Sequence, residues 1–449
     1  MNRAITSDVG IETARPWRRA LAWLALLAPF FFASYGFANW VAAQHAYVPS
    51  IVFDWERAIP FWPWTIVPYW IIDLLYGLSL FLCATRRELD THAKRLLTAQ
   101  VIAVACFIAV PYRFSFEHPP ADGVFGFLFD VLLGFDRPFN QIPSLHIALA
   151  VILWVLYSRK VPRGVRILVD ATFLLICGSV LTTYQHHFID IPTGFVLGWL
   201  CVWMWPDDPA LRPLQGLSPA RDPRRRRLAM FYLLGAILFA VAATMLGGVA
   251  LWLFWPALSL ALVALFYAVI GARGFQKTAD GKLSLAARWL LAPYLAGAWI
   301  NSRWWTRAHP QPSPIADGVW LGRLPTRREF AGSPFASVVD LTAELPISPG
   351  DRALAVFPVL DLTAPSPVTL AEAAVAIERL RTRGPLLVCC ALGYSRSACA
   401  VAAWLLATGR ARTVDEALVK IRAARASIVL HADHATALQA AVGESALRT

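Results

Sequence analysis

A short stretch late in the chain carries residues suited to phosphate chemistry. Cys390 follows the apolar residues 386–388, and Arg396 and a run of small residues come after it. This order predicts a strand, a tight loop and the start of a helix. Such a loop points backbone N–H groups at an anion, and a guanidinium can close over two of the anion's oxygens. The same positive field favours the thiolate of Cys390, so the spacing predicts a phosphate-binding loop with a cysteine nucleophile.

The residues inside this loop bear on its geometry and on its ligand. We expect the phosphate to be bound by Gly393, Tyr394 and Ser395. Gly393 permits the loop conformation because it has no Cβ. The loop contains no Lys, and Ala391 and Leu392 give it an apolar lining. This lining favours a single phosphomonoester over a polyphosphorylated inositide.

A second set of polar residues lies at the ends of apolar segments, where ionisable side chains are usually functional. His186 is followed by Asp190, and a carboxylate four residues on can share one side of a helical turn with the imidazole. That carboxylate can fix the tautomer and leave the other nitrogen nucleophilic. A second imidazole, His146, can protonate a departing alkoxide. Arg113 and Arg137 are the cations that we expect to bind the oxyanion.

The composition indicates that much of the chain lies in lipid. Of its 449 residues, 57% are hydrophobic and 16% are charged, whereas soluble chains carry about 25% charged residues. The net charge of +12 comes from Arg and Lys clustered between apolar runs. We therefore expect membrane phospholipids, and no nucleic acid, as partners. The seven Cys have no zinc or disulfide spacing, and neither a metal nor another cofactor is expected.

Eight apolar segments approach the ~20 residues needed to cross a bilayer. They are 18–40, 65–84, 97–112, 143–157, 166–184, 188–205, 228–247 and 249–270. The loops predicted on one side carry eighteen Lys and Arg, and those on the other side carry three. Because positive loops stay in the cytoplasm, this bias predicts a bacterial-type inner membrane protein with cytoplasmic N- and C-termini.

The predicted fold class is a polytopic α-helical membrane domain of about eight spans followed by a small α/β domain. Short buried strands are predicted at 338–341 and 355–360, and Thr369 with Glu372 is interpreted as a capping box that opens a helix ending near Gly384. The predicted domains are a membrane domain at 1–206, a basic loop with two further spans at 207–283, a Trp- and Arg-rich interfacial linker helix at 284–312, and the α/β domain at 313–449.

Residues 313–435 resemble the dual-specificity branch of the cysteine-dependent phosphatases. The phosphate-binding loop carries this resemblance, together with Val359–Thr363, which looks like the family's general-acid loop. Residues 318–325 and the Asp-Leu-Thr at 361–363 are similar to the mitochondrial phosphatidylglycerophosphate phosphatase group. The resemblance implies a small α/β phosphatase that needs no metal and acts on a phosphomonoester.

The same resemblance implies a role for each matching residue. Cys390 would attack phosphorus, Arg396 would bind the equatorial oxygens and Ser397 would support the thiolate. Asp361 would protonate the leaving oxygen and then activate water. The family usually has His before the nucleophile, whereas this chain has Cys389.

Residues 60–206 resemble the type 2 phosphatidic acid phosphatase superfamily. The likeness is carried by Arg137-Pro138, by Pro143-Ser144 with His146, and by His186 with Asp190. It implies His186 as nucleophile, Asp190 as the group that orients it and His146 as the acid. Three positions depart from the superfamily's motifs. They are Asp130 in place of Lys, Leu145 in place of Gly and Val180 in place of Arg.

Residues 182–190 look more like the inositolphosphorylceramide and sphingomyelin synthase branch of that superfamily. Members of that branch transfer phosphate groups between lipid alcohols, so hydrolysis and transfer both remain open.

The first hypothesis is a lipid-phosphate enzyme with two active sites, of which the Cys390 site takes a phospholipid such as phosphatidylglycerophosphate. The alternative is a phospholipid head-group transferase with a regulatory phosphatase domain that acts on phosphoproteins. A third hypothesis is a membrane domain that only holds lipid.

Overall fold

The computed structural model describes residues 15–446 of the chain. The chain forms two compact units, the first ending at Asp207 and the second beginning at Asp208. Each unit has hydrophobic clusters of its own. Residues 1–14, which include Arg3, one of the eighteen basic loop residues, lie outside the described part of the chain.

The first unit is helical. Its helices are α1 (Trp17–Ala43), α2 (Ile66–Leu82), α3 (Arg86–Ala109), α4 (Gly123–Phe135), α5 (Leu145–Lys160), α6 (Arg163–Thr182) and α7 (Asp190–Met204). Helix α3 begins well before the apolar segment predicted there, because Thr85 caps it by accepting the N–H of Glu88. Helix α4 was not predicted, since its 13 residues are too few for a span.

By length and composition, six helical stretches of the described residues could cross a membrane, four in the first unit and two in the second. The segments predicted as spans at 143–157 and 188–205 fold as α5 and α7. These helices have 16 and 15 residues, fewer than the ~20 that a perpendicular span needs. The long apolar helices are compatible with a membrane protein.

Two glycines bring α7 close to α5. A Cβ on Gly194 would lie 2.4 Å from the carbonyl oxygen of Ser144, and a Cβ on Gly198 would lie 2.8 Å from that of Ala148. Small residues at a helix interface let the two backbones approach closely. This close packing sets the start of α5, with Ser144, beside the start of α7, with Asp190.

The second unit combines an apolar helical hairpin with a small sheet. Its elements are α8 (Pro223–Leu246), α9 (Phe254–Leu265), α10 (Leu285–Leu290), α11 (Ala292–Trp305), β1 (Ser313–Ala316), β2 (Val319–Arg323), α12 (Arg327–Ala331), β3 (Ser337–Thr342), β4 (Ala353–Val359), α13 (Pro367–Arg381), β5 (Leu386–Cys390), α14 (Arg396–Ala407), α15 (Val414–Ala424) and α16 (Ala432–Ala446). A π-helical turn at Phe266–Ile270 extends α9. The predicted interfacial helix folds as two helices, α10 and α11.

The sheet has the strand order β1-β2-β5-β3-β4. Strand β1 is antiparallel to β2, and the other neighbours are parallel. The two strands predicted at 338–341 and 355–360 are confirmed as β3 and β4, whereas β1 and β2 were not predicted. Ligands of such sheets bind outside the carboxyl ends of the parallel strands. The loops after β3, β4 and β5 therefore meet at the edge where a site is expected.

Strand β5 is buried on both faces and divides two hydrophobic clusters. Leu386, Val388 and Cys390 face the cluster that contains α13 and α14, whereas Leu387 and Cys389 face the opposite cluster. This alternation follows from the two-residue period of a strand. It directs Cys390 towards the helix that follows it and buries Cys389 on the other side of the sheet.

Side chains cap two helix starts in the second unit. Thr413 caps α15 by accepting the N–H of Glu416. Helix α13 does not begin at the predicted capping box. Ser366 caps this helix by accepting the N–H of Thr369, and Pro367 occupies the first turn. Proline is favoured there because its fixed φ suits the helix and its missing N–H would be unpaired anyway.

The segment between α9 and α10 is part of the same compact unit as the sheet. Lys277 from this segment is fully buried, and its ammonium donates to Asp340 Oδ2 at 2.5 Å. It also donates to the carbonyl oxygens of Thr342 and Leu345, each at 2.7 Å. A buried ammonium with three acceptors fixes the connecting segment against the end of β3.

Candidate active sites

The loop after β5 surrounds the sulfur of Cys390 with donors. Cys390 is 2% exposed. Its Sγ accepts the N–H of Gly393 at 3.3 Å and the hydroxyl of Ser397 at 3.2 Å. Helix α14 starts at Arg396, so its N-terminus faces the loop. Donors and a helix N-terminus both stabilise an anion at this position.

Backbone carbonyls of the loop are bound by groups outside it. Ser302 Oγ donates to Ala391 O at 2.5 Å, Leu324 N to Cys390 O at 2.8 Å, Val429 N to Tyr394 O at 2.9 Å and Arg425 Nε to Gly393 O at 3.1 Å. With these carbonyls held outward, the loop's N–H groups can face its centre. A ring of inward N–H groups binds the oxygens of a phosphate.

Gly393 is required by conformation and by space. Its φ is +73°, a region that residues with a Cβ rarely adopt. A Cβ at this position would lie 2.4 Å from the carbonyl carbon of Gly322 in β2. The loop therefore passes directly over β2, and only glycine fits between them.

The guanidinium of Arg396 donates to four acceptor atoms on three residues. Both of its terminal nitrogens donate to Glu344, at 2.8 Å each, and Nη2 also donates to Asp361 Oδ1 at 2.8 Å. Nη1 donates to Val359 O at 2.8 Å. These contacts fix the plane of the guanidinium beside the loop. The sequence placed Asp361 and Arg396 in one site, and the structure brings them into contact.

Sequence reasoning did not find Glu344, which lies just after β3. The carboxylate is 2% exposed. Burial alone would raise its pKa, but the two hydrogen bonds and the charge of Arg396 hold that pKa below its ordinary value. A polar residue that follows a buried strand at the sheet's carboxyl edge was the available signal.

Asp361 follows β4, and its pKa is shifted in the opposite direction to that of Glu344. Burial raises its pKa above the ordinary 3.8, and the negative charge of Glu344 adds to this, although Arg396 opposes it. The next residue, Leu362, has a φ of +57°. A non-glycine residue in this region indicates a backbone that its surroundings hold in place. A carboxyl group with a raised pKa beside the phosphate loop is suited to donate a proton.

A second group that the sequence did not indicate supports the loop from α16. Ser395 Oγ lies 2.8 Å from His434 Nε2, and His434 Nδ1 lies 2.9 Å from Asp433 Oδ1. Burial lowers the pKa of His434, although Asp433 opposes this. Tyr394 turns outward, and its hydroxyl donates to Trp305 O at 2.9 Å. Of the predicted phosphate-binding residues, Ser395 and Tyr394 thus have side chains engaged outside the loop.

In the first unit, His186 and Asp190 lie together as expected. His186 Nδ1 is 3.0 Å from Asp190 Oδ2, and both side chains are buried. If the carboxylate accepts the proton on Nδ1, the lone pair is on Nε2, which is 3.2 Å from the hydroxyl of Ser144. Ser144 also caps α5 by accepting the N–H of Ile147. The close packing of α5 and α7 therefore fixes both neighbours of this imidazole.

A second histidine–carboxylate pair lies beside the first one and was not anticipated. His187 Nδ1 is 3.1 Å from Glu56 Oε2, and Ser115 donates its backbone N–H to His187 Nε2 at 3.1 Å. Glu56 Oε2 also accepts the N–H of Phe188 at 2.8 Å. Burial opposes ionisation of Glu56, but these hydrogen bonds keep its pKa below the ordinary value. The available signal was an acidic side chain among the aromatic residues of the stretch 54–64.

The other predicted residues of this site are less closely joined. His146 is stacked on Tyr69, with ring centroids 4.3 Å apart, and its Nε2 is buried without a hydrogen-bond partner among the described residues. The side chains of Arg113 and Arg137 are exposed. Within residues 15–446 neither makes a side-chain hydrogen bond or ion pair with His186. The role of Arg113 and Arg137 in binding an oxyanion stays a prediction.

Neither site has the ligand pattern of a metal centre. The described residues contain no group of three or more His, Cys, Asp or Glu side chains that could hold a metal ion.

Of the other cysteines in the second unit, Cys389 and Cys399 are buried in the core. Burial raises the pKa of both thiols well above the ordinary 9.0.

Comparisons with known proteins give partial likenesses. No protein-family model matches the chain, and no curated protein matches it. Tk-PTP in its active form is 29% identical over 30% of this chain and 98% of its own, with a TM-score of 0.28. Human DUSP28 is 20% identical over 30% of this chain and 99% of its own, with a TM-score of 0.28. PTPMT1 in complex with PI(5)P is 19% identical over 30% of this chain and 96% of its own, with a TM-score of 0.27. These overlaps do not assign the chain to a family.

Proposed function

We propose that this protein is a membrane-bound lipid-phosphate phosphatase whose cysteine-dependent site hydrolyses a phosphomonoester. The observation that carries the proposal is the loop from Cys390 to Arg396. Its sulfur is surrounded by donors, its carbonyls are bound outside it and its arginine contacts Asp361. Each feature favours binding of a phosphoryl group next to a thiolate.

The proposed reaction has two steps. In the first, the Cys390 thiolate attacks phosphorus and the bond to the leaving oxygen breaks, while Asp361 gives that oxygen its proton. The loop's N–H groups and Arg396 bind the three equatorial oxygens as charge develops on them. In the second step, Asp361 takes a proton from water, the water oxygen attacks the phosphocysteine and the sulfur–phosphorus bond breaks. The products are inorganic phosphate and the thiolate of Cys390.

A phospholipid is the substrate that the surroundings of this loop favour. Helix α11 contacts the loop through Ser302, and Tyr394 binds the carbonyl of Trp305 at its end. The same helix exposes Trp299 and Trp304, which are 49% and 62% exposed. Exposed Trp side chains prefer the membrane interface. A loop without Lys, next to an interfacial helix, fits a simple lipid monoester such as phosphatidylglycerophosphate.

The first unit is proposed to hold a second site, a phosphatase or a phosphotransferase of the type 2 phosphatidic acid phosphatase kind. The Asp190 carboxylate beside His186 Nδ1 supports His186 as its nucleophile. His146 would act as the acid. The charge bias of the loops supports placing this site on the periplasmic face and the Cys390 site on the cytoplasmic face.

The test is phosphate release from vesicles containing phosphatidylglycerophosphate by the full-length protein. Cys390→Ser is expected to abolish release. Cys399→Ser is the matched control, because Cys399 is a buried cysteine of α14 that does not line the loop. Unchanged release by Cys390→Ser would overturn the proposal.

Two further arms of this experiment separate the alternatives. Faster Cys390-dependent turnover of a phosphotyrosine peptide than of the lipid would favour the regulatory phosphatase domain. His186→Ala is expected to leave Cys390-dependent release unchanged and to remove phosphoryl labelling of the first unit from lipid. Labelling that persists in His186→Ala would leave this histidine without a catalytic role.

A further inference from the structure

The general-acid loop, residues 359–363, is hydrogen-bonded to the apolar helical hairpin that α8 and α9 form in the same unit. The hydroxyl of Tyr267 donates to the backbone carbonyl of Asp361 at 2.9 Å. Tyr267 lies in the π-helical turn that ends α9 and is fully buried. Because its hydroxyl binds the backbone, it holds the position of Asp361 and leaves the carboxyl group free for Arg396 and a substrate.

The backbone at Asp361 needs an external contact of this kind. Leu362 has a φ of +57°, and its side chain is 47% exposed. A left-handed conformation is unfavourable for a non-glycine residue, and an exposed side chain supplies little packing in return. Within this turn, Thr363 Oγ1 also donates to Leu360 O at 2.8 Å. Without Tyr267, the turn would be free to relax and to carry Asp361 away from Arg396.

Tyr267 is itself positioned by α8 and α9. Arg225 at the start of α8 donates to the carbonyl of Tyr267 at 3.1 Å and to that of Phe266 at 3.3 Å. The ring of Tyr232, about two helical turns further along α8, lies 5.2 Å from the ring of Tyr267. Both helical stretches of the hairpin are long and apolar enough to cross a membrane.

We propose that Tyr267 is a positioning residue that couples the general-acid loop to this apolar hairpin. The proposal rests on the proposed function of the Cys390 site. Proton donation by Asp361 then depends on the hairpin, whereas thiolate attack does not. Substrates with a poor leaving group, such as lipid phosphates, need the proton donor, whereas aryl phosphates with a good leaving group can leave without it.

The experiment compares two substrates in Tyr267→Phe, which removes one hydroxyl and keeps the ring. Vesicles with phosphatidylglycerophosphate supply the poor leaving group, and p-nitrophenyl phosphate supplies the good one. We expect kcat to fall about 10-fold on the lipid with KM unchanged, and to stay within about 2-fold on the aryl phosphate, since general acid catalysis contributes about 10²–10⁴-fold. Retained aryl phosphate turnover also shows that the variant is folded.

The matched control is Tyr157→Phe. The Tyr157 hydroxyl also donates to a backbone carbonyl, that of Leu75 at 2.9 Å, but in the first unit. It is expected to leave both Cys390-dependent rates unchanged. Equal effects of Tyr267→Phe on the two substrates, or no effect on the lipid, would overturn the positioning role. A wild-type protein without Cys390-dependent turnover of either substrate would instead refute the proposed function, and this inference with it.

Discussion

Glu344 and Asp361 share the guanidinium of Arg396. Glu344 accepts two hydrogen bonds from it and Asp361 accepts one, all at 2.8 Å. The sharing is unequal, and the pKa of Glu344 is lowered while that of Asp361 is raised. Two carboxyl groups whose environments move their pKa values apart can be assigned different tasks. In the proposed reaction, Glu344 remains ionised and orients Arg396, and Asp361 carries the proton.

This relationship predicts the pH dependence of Glu344→Gln. Asp361 donates only when protonated, so turnover of the lipid falls as the pH rises through its pKa. Removing the negative charge of Glu344 lowers the pKa of Asp361 for two reasons. A repelling charge is lost, and Arg396 no longer divides its charge between two carboxylates. The basic limb of the kcat profile should move to lower pH, and kcat should fall about 10-fold or more as Arg396 loses its orientation.

The control for this variant is Glu378→Gln. Glu378 also binds an arginine, Arg381, but on the surface of α13. Its pH profile should match that of the wild-type protein. An unshifted basic limb in Glu344→Gln, measured on the lipid, would contradict the division of tasks between the two carboxyl groups.

A second prediction concerns the contact between the phosphate loop and β2. Gly393→Ala should abolish Cys390-dependent turnover and lower the melting temperature, because a Cβ would lie 2.4 Å from Gly322 at a φ of +73°. Gly409→Ala is the matched control. Gly409 has a φ of +71° but nothing within 4 Å of its Cβ position. It should lose only the ~1–2 kcal/mol of the strained backbone and keep full activity. Equal effects of the two substitutions would show that the contact with β2 is unimportant.

The elements closest to the nucleophile were predictable because their signals are local. Strand β5, the loop and the start of α14 occupy adjacent residues, and their pattern of apolar residues, glycine and small residues is read directly from the sequence. Strands β1 and β2 have four and five residues and include a proline, a glycine and an arginine. Such composition gives a weak strand signal, and pairing with β5 is what makes β2 a strand.

The support of the site was not predictable in the same way. Ser302, Leu324 and Arg425 bind the loop from positions far away along the chain. Glu344 reaches Arg396 only because β3 and β5 are neighbours in the sheet. No spacing in a single sequence encodes these contacts, because they depend on strand order. The contact between Glu56 and His187 in the first unit also joins distant positions, which are 131 residues apart in the chain.

A third prediction concerns the second histidine–carboxylate pair. Glu56→Gln removes a charged acceptor from His187 and from the N–H of Phe188, and should destabilise the first unit by about 1–3 kcal/mol at neutral pH. The pKa of Glu56 is lowered by folding, so its stabilising contribution is present above its unfolded pKa. That contribution is lost as the pH falls through the folded-state pKa.

Thermal unfolding across a pH series measures this effect. The difference in melting temperature between Glu56→Gln and the wild-type protein should be constant at neutral pH and shrink as the pH falls below about 4. Glu117→Gln, at an exposed glutamate of the same unit, should show no difference at any pH. A wild-type-like melting temperature for Glu56→Gln at pH 7 would contradict a role for this carboxylate in holding the loop with His186.

The final prediction concerns the buried ion pair that connects the hairpin segment to the sheet. Lys277→Met leaves Asp340 buried without its cation and should cost about 3–5 kcal/mol of stability. Lys277 also donates to the carbonyls of Thr342 and Leu345, which flank Glu344 in the chain. We therefore expect a loss of activity with a shifted pH profile, as in Glu344→Gln, in the fraction that stays folded.

The controls for this substitution vary the charge and its burial separately. Lys282→Met removes an exposed lysine that pairs with Asp280, and should change stability by no more than about 1 kcal/mol. Adding Asp340→Asn to Lys277→Met removes the uncompensated negative charge and should restore part of the lost melting temperature. No recovery in the double variant would show that the carbonyl contacts of Lys277, rather than its charge on Asp340, hold the segment in place. In that case the pH profile of the double variant should remain shifted, because Glu344 would still lack its support.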